Sequence, residues 1–464
     1  MNEDVMIRRL EEAQYYGTTG LSFFQIEFND AIEAALVQLM RSIAQQGDCW
    51  QELNIFGCVG HIDAILQLAV SLDIFSSITI KGMDRGERLG KHAALSIGVG
   101  MKFSKHLKQL HLGHLLMEKD EIESICSGMS HGSSGSLKFL IFSRIIFAEE
   151  AVDALEQGLK NNRSLVGLAV TSCSLRDDQL SKLIQAVVGH PALRSIKIFG
   201  NAGHVQTLES LSRLLKATRH LETLDLHHQS WRKNGLQSHM HILAEGLKGN
   251  NTLKRLNLSS NLLADDDMES ISNVLWTMGS LIELDLDLNN ITDRGLEILS
   301  SQTIPSKLKR LRLTGNDFSQ NGVQYLVKIL QIHLELGFLD CHRFWARSSI
   351  REDIQHYMDL NRCGRILLRD GDNYSASLWP RVLARANRKM AYDVRRADVI
   401  YHLLHGPALF KRKDTIEMAK EMEIMEENTT KKRSAPKNSS ESSFDSMSVD
   451  DELLKPRRKL SYSC

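Results

Sequence analysis

The chain has 464 residues, 42% of them hydrophobic and 25% charged, and its 57 basic and 57 acidic residues cancel. This is the composition of a folded protein, with no global field to draw nucleic acid or an acidic membrane. Seven cysteines (Cys49, Cys58, Cys126, Cys173, Cys341, Cys363 and Cys464) show no paired metal-ligand spacing, so reduced thiols in a cytoplasmic or nuclear setting are expected.

Residues 1–20 form a charged N-terminal segment without an apolar signal core. No apolar run along the chain approaches the roughly 18 residues that a membrane helix needs. From Leu21 onward a unit recurs. It is clearest as L-x-x-L-x-L-x-x-N opening at Leu253, Leu281 and Leu308. The frame extends back through Leu221, Leu193, Leu165, Leu137 and Leu107 to degenerate copies at Phe75, Trp50 and Leu21, and forward to Leu336. That makes twelve units, opening 25 to 32 residues apart.

Counted from the opening residue, apolar side chains return at positions 16, 19 and 23, the spacing of one helix face. Examples are Leu36, Leu39 and Ile43 in the first unit, and Leu180, Leu183 and Val187 further on. In the unit from Leu221 the triplet comes four places late, as Met240, Leu243 and Leu247, which predicts an insertion before that helix. Each unit is therefore a strand, a turn and a helix that cannot bury its own apolar face. Stacking buries it, with the strands in one parallel sheet and the helices in an outer layer.

The third unit contains Ile78–Ile97, ITIKGMDRGERLGKHAALSI, which imitates a phosphate-binding loop. Such a loop needs G-x-x-x-x-G-K-[ST], so that backbone amides, a lysine and a hydroxyl surround the phosphates. Three residues rather than four separate Gly86 from Gly90, and His92 stands where the hydroxyl belongs. The stretch is expected to be a lengthened strand-to-helix connector, with Ile78 and Ile80 pointing inward and no nucleotide bound.

The ninth position holds Asn201, Asn261, Asn289 and Asn316, with Asn29, Cys58 and Cys173 in other units. With this frame in place, the chain resembles leucine-rich repeat proteins of the ribonuclease-inhibitor type over about residues 21–358. The resemblance implies an α/β solenoid, or horseshoe, with a parallel concave sheet and convex helices. It also implies that the ninth side chain is buried and bonds the turn backbone, forming a ladder between units. Leu115 and Ile145 fill that position in the units from Leu107 and Leu137, where a distorted region is expected.

Residues 359–410 leave the frame. Apolar spacing at Trp379, Val382, Leu383 and Ala386, and again at Val399, Ile400, Leu403 and Leu404, predicts short helices forming a C-terminal cap. The combination LNRCGR, LWPRVLARA and ADVIYHLLHGPALF resembles a module of uncharacterised leucine-rich repeat proteins of unicellular algae. Residues 411–464 are rich in serine and basic residues and are expected to be a mostly disordered tail, with KKR and KPRRK as candidate nuclear import signals.

Alternation along the strands turns positions 3, 5 and 7 outward onto the concave face, the default binding surface of a solenoid. In its C-terminal half, Asp225, His227, His228, Arg255, Asn257, Glu283, Asp285, Arg310, Arg312, Phe338, Asp340 and His342 are the candidate partner-binding residues. Mixed charge beside an aromatic suits a protein better than a polyanion. The histidines His220, His227, His228, His239 and His241 crowd one unit without a metal-ligand spacing. No catalytic motif emerges. The expectation is a monomeric, non-enzymatic scaffold with a protein partner, no cofactor, no metal, no nucleotide, no nucleic acid and no membrane. The alternatives are functions implied by resemblance. One is a GTPase activator similar to the Ran GTPase-activating protein; the other is a sensor similar to nucleotide-binding immune-type receptors.

Overall fold

A computed structural model describes residues 20–46, 50–83, 87–129, 137–229, 239–301, 306–341 and 349–368. The chain divides into two compact units, residues 1–405 and 406–464, and the described residues all lie in the first. The expected cap residues Trp379, Leu383 and Leu403, and the expected tail, fall outside the described residues.

Twelve parallel strands stand side by side in sequence order, from Gly20–Phe24 to Phe338–Asp340. Leu256 pairs with Leu284 and Leu284 with Leu311, so the leucines at the fourth position form one row. Twelve helices, from Asp30–Gln46 to Ser349–Arg362, follow the strands and pack on one another in the same order. The expected helical triplets lie in the core between the layers: Leu180, Leu183 and Val187 are buried, as are Met240, Leu243 and Leu247. Ile78 and Ile80 are buried too, on the strand Phe75–Lys81. Lys91, the residue that imitated a phosphate lysine, opens the helix Lys91–Phe103 and pairs with Asp120.

The asparagine ladder holds the C-terminal units. The side-chain oxygen of Asn289 accepts the backbone N–H groups of Asn261 (3.0 Å) and Leu263 (3.1 Å) in the preceding unit. Its amide donates to the carbonyls of Leu258, Leu286 and Asp287. Asn201, Asn261 and Asn316 bond in the same way. In the unit from Leu221 the ladder position is Gln229, one methylene longer, and its buried Oε1 has no partner among the described residues.

Two sequence expectations are corrected. The units from Leu107 and Leu137 are regular, not distorted. Leu115 and Ile145 are buried, and the backbone beside them pairs directly: Glu87–Arg88, Leu115–Met117 and Ile146–Phe147 form a small second parallel sheet. Without an amide to satisfy the turn, neighbouring backbones satisfy each other. The main strands of the first six units are also longer, five to seven residues against three in the last six.

The second correction is to the register of the first unit. Leu21 pairs with Leu53 and Phe23 with Ile55, so Leu21 occupies the fourth position rather than the first. The eighth position confirms the three-residue shift. It carries a left-handed residue in unit after unit, including Gly57, His114, Arg144, Ser172 and Ser260, and in the first unit that residue is Gln25. Gln25 therefore leaves the central concave column to Ser22. Asn29 is not a ladder residue either; its Oδ1 accepts the N–H of Ile32 at the start of the first helix.

A second polar ladder, unread in the sequence, closes the other turn three residues before most opening leucines. Asn162 Oδ1 accepts the N–H groups of Ser164 and Leu165, and Asn250 Oδ1 those of Thr252 and Leu253. Ser104, His190 and Thr218 accept similarly. The sequence signal was present as a recurring polar residue in N-x-x-L, S-x-x-L, H-x-x-L and T-x-x-L. Its last rung is Asn361, whose amide donates to Leu330, His333 and Leu336. The helix Ser349–Arg362 thus runs through the domain boundary drawn after residue 358, and LNRCGR begins inside the last repeat.

Candidate functional site

The concave face carries three columns of side chains, each set by strand alternation and parallel register. Arg255, Glu283, Arg310 and Phe338 are successive neighbours in one. Asp225, Asn257, Asp285, Arg312 and Asp340 are neighbours in the next. His342 lies outside the described residues.

The five histidines are not one site. His227 belongs to the concave face: its Nδ1 lies 2.7 Å from Asp225, and its ring stacks on Phe199 at 3.8 Å and 22°. His228 is the left-handed turn residue, with φ 55°, and its N–H donates to Ser259. His220 is exposed on the opposite turn. His239 and His241 instead join His204, with ring centroids 5.6 and 5.9 Å apart along the series. Among the described residues, the one group of three ligand atoms within 4.8 Å is Asp30, Glu33 and His61. There His61 Nδ1 sits 2.5 Å from Glu33, and the Glu33 hydrogen bond raises the imidazole pKa. This is a solvent-facing ion pair between the starts of the helices Asp30–Gln46 and Ile62–Ser71.

Sequence reading missed Asp287, two residues beyond Asp285 in the third column, although it stands at position 7 of its unit, one of the outward positions. Burial, Asp285 and Asp340 together push its carboxyl up to about 6, although Thr314 donates its N–H to it at 2.6 Å. Asp285 is raised as well, chiefly by burial. Thr314 Oγ1 donates to Asp340, and the Arg312 guanidinium lies over Phe338 at 5.9 Å. The result is a half-buried group of carboxylates with one arginine and one aromatic ring.

The N-terminal half is different. Its central column passes through Thr79, His111, Ile141 and Ala169, with Phe139 exposed beside them. Burial, then the Lys81 charge, lowers the His111 pKa to about 4, and it faces Ser143 Oγ at 2.7 Å, so this central column is neutral. Phe24 and Phe56 stack at 4.8 Å at the first strands, with Lys81 over Phe56.

The Asp287 pKa gives a stability prediction. Between its ordinary 3.8 and about 6 the folded chain holds more protons than the unfolded one. Stability therefore falls as pH rises through that window. Asp287→Asn is expected to melt above the wild type at pH 7.5, by about 1 kcal/mol once solvent screening is allowed for, with the gap closing by about pH 4. Urea melts at both pH values check this. The same gap at both would show that Asp287 is not the titrating group.

The repeat frame has counterparts in known proteins. A family model described as "Leucine Rich repeat" matches residues 249–272, 280–300 and 305–327, the units where the asparagine ladder is complete. These are leucine-rich repeats of the ribonuclease-inhibitor type. Among similar proteins, NACHT, LRR and PYD domains-containing protein 13 of Homo sapiens is 28% identical over 228 residues, covering 49% of this chain and 19% of that protein. Ribonuclease inhibitor of Sus scrofa is 26% identical over 229 residues, 48% of this chain and 49% of that protein. This leucine-rich repeat chain thus spans about half or less of the length of the curated relatives it matches. Among solved structures, Rad7 in its complex with Elc1 from yeast aligns over 73% of this chain and 81% of that one, at a TM-score of 0.45 and 16% identity. No helix among the described residues is long and apolar enough to cross a membrane.

Proposed function

We propose that this leucine-rich repeat protein is a non-enzymatic scaffold that holds another protein on its concave face. Leucine-rich repeats generally serve protein–protein interaction, and the division of the concave face into two halves carries the reading here. One half offers a neutral central column beside the exposed rings of Phe24 and Phe139. The other offers Asp285, Asp287, Asp340, Arg310 and Arg312 around Phe338. Aromatic anchors and fixed charges in one continuous sheet supply affinity and selection together. The partner of this surface carries an apolar segment and, about five strands or roughly 24 Å away, basic side chains opposite the carboxylates. A monomer in the cytoplasm, with entry to the nucleus through the basic tail clusters, is part of the proposal. The similarity to NACHT, LRR and PYD domains-containing proteins favours one second reading, a sensor role for the same surface.

The test is affinity purification from the source cells followed by mass spectrometry, with the wild type and with the Asp285→Lys, Asp287→Lys double variant. A stable set of proteins recovered about tenfold or more less with the variant, which still melts cooperatively above the assay temperature, is the expected result. Equal recovery would remove the concave carboxylates from the interface. A dominant small GTPase among the captured proteins would favour an activator instead.

A further inference from the structure

The convex layer carries a feature that the concave face does not explain. Leu95, Val99 and Phe103 are 52%, 50% and 71% exposed. They follow each other at intervals of four along the helix Lys91–Phe103, so they share one face. The other face of that helix is already committed, with Ala93, Ala94, Ile97 and Met101 buried.

The helix cannot roll to hide the stripe. A Cβ on Gly98 would stand 2.0 Å from the carbonyl oxygen of Ser124, and one on Gly100 would stand 1.4 Å from Val70 Cγ1. Only glycine lets the helix sit this close to both neighbours, Ile62–Ser71 and Lys119–Met129, so its rotation is fixed by contact with them.

The charges around the stripe are unequal. On one flank each carboxylate is taken: Glu118 by Arg88, Asp120 by Lys91 and Glu123 by Lys119. Asp73, near the end of the stripe, accepts from Ser104, the Lys105 backbone and His106. Lys102 and Lys105 form no ion pair among the described residues, and Lys102 lies over the Phe103 ring at 5.6 Å. The available charge beside the most exposed ring is therefore positive.

We propose that this face docks an amphipathic helix of a partner protein, apolar toward Leu95, Val99 and Phe103 and acidic where it passes Lys102 and Lys105. The stripe is about 12 Å long, which matches two to three turns of such a helix. This surface is separate from the concave one, so the solenoid would grip two partners, or one partner at two places.

The experiment uses the full chain and two fluorescein-labelled peptides of about 16 residues, with the same leucines at helical spacing. One peptide has glutamate at its polar positions and the other lysine. Binding is read by fluorescence anisotropy. Saturable binding of the acidic peptide is expected, about tenfold or more tighter than the basic one and weakened by salt. Phe103→Ser, at an exposed position that leaves folding intact, is expected to reduce that affinity about tenfold. Lys102→Glu should narrow the preference between the peptides. Asp285→Lys with Asp287→Lys should leave peptide binding unchanged, so a failure here is distinct from a failure on the concave face. Equal binding of the two peptides, no binding of either, or an unaffected Phe103→Ser variant would each overturn the proposal. So would a dimer in light scattering that Phe103→Ser dissolves, because the occupant would then be a second copy.

Discussion

Asn289→Ala is expected to destabilise the fold by about 2–3 kcal/mol, the cost of stranding several buried polar groups at once. Asn289 is 2% exposed and sits in the middle of three intact rungs. Its removal leaves the N–H groups of Asn261 and Leu263 without an acceptor and takes a donor from three carbonyls. A water in the vacated space would recover only part of the loss. Urea melts of wild type and variant measure it, and coincident curves would mean that the ladder contributes nothing. Gln229→Asn provides the opposite sign. An oxygen one bond nearer the backbone would stand where the neighbouring asparagines hold theirs, and a gain of about 1 kcal/mol is expected.

A chain ending at residue 358 is expected to be far less soluble and to melt well below one ending at residue 368. The cut at 358 passes through the helix Ser349–Arg362 and removes the buried Leu360, Asn361 and Cys363. Three carbonyls, those of Leu330, His333 and Leu336, lose the Asn361 amide, and the Gly337 carbonyl loses Arg362. A lost buried leucine alone costs about 2–5 kcal/mol, and the unmade hydrogen bonds add to that. The exposed end of the stack would also invite association, as in any solenoid without its last layer. Soluble yield and thermal melting of the two chains decide the matter. Equal behaviour would show that the repeat stack is already closed at residue 358.

Twelve units were legible in the sequence because the signal is periodic. An apolar residue at positions 4 and 6 of each unit must face inward, and the same demand recurs about every 28 residues, so even degenerate copies such as Trp50 and Phe75 fall into line. The outward columns follow from alternation alone, which is why the repeat frame by itself puts Arg255, Glu283 and Arg310 in one column. Residues whose surroundings come from other units were not legible. Leu21-Ser22-Phe23-Phe24-Gln25-Ile26 fits the apolar pattern in two registers, and only pairing with Leu53 and Ile55 chooses between them. The raised carboxyl of Asp287 depends on burial, on Asp285 and on Asp340, which lies two strands later, against an opposing hydrogen bond from Thr314 in the next unit. The histidines of one unit are adjacent in sequence but part company, because the turn, the strand and the helix start face different ways. The stripe on Lys91–Phe103 is written plainly as Leu95, Val99 and Phe103, and the repeat frame turns Ala94, Ile97 and Met101 to the core, where they are buried, yet the pattern does not say how firmly that rotation is held. Contact of Gly98 and Gly100 with the two flanking helices decides that, since packing fixes a helix's rotation through atoms that are distant in sequence.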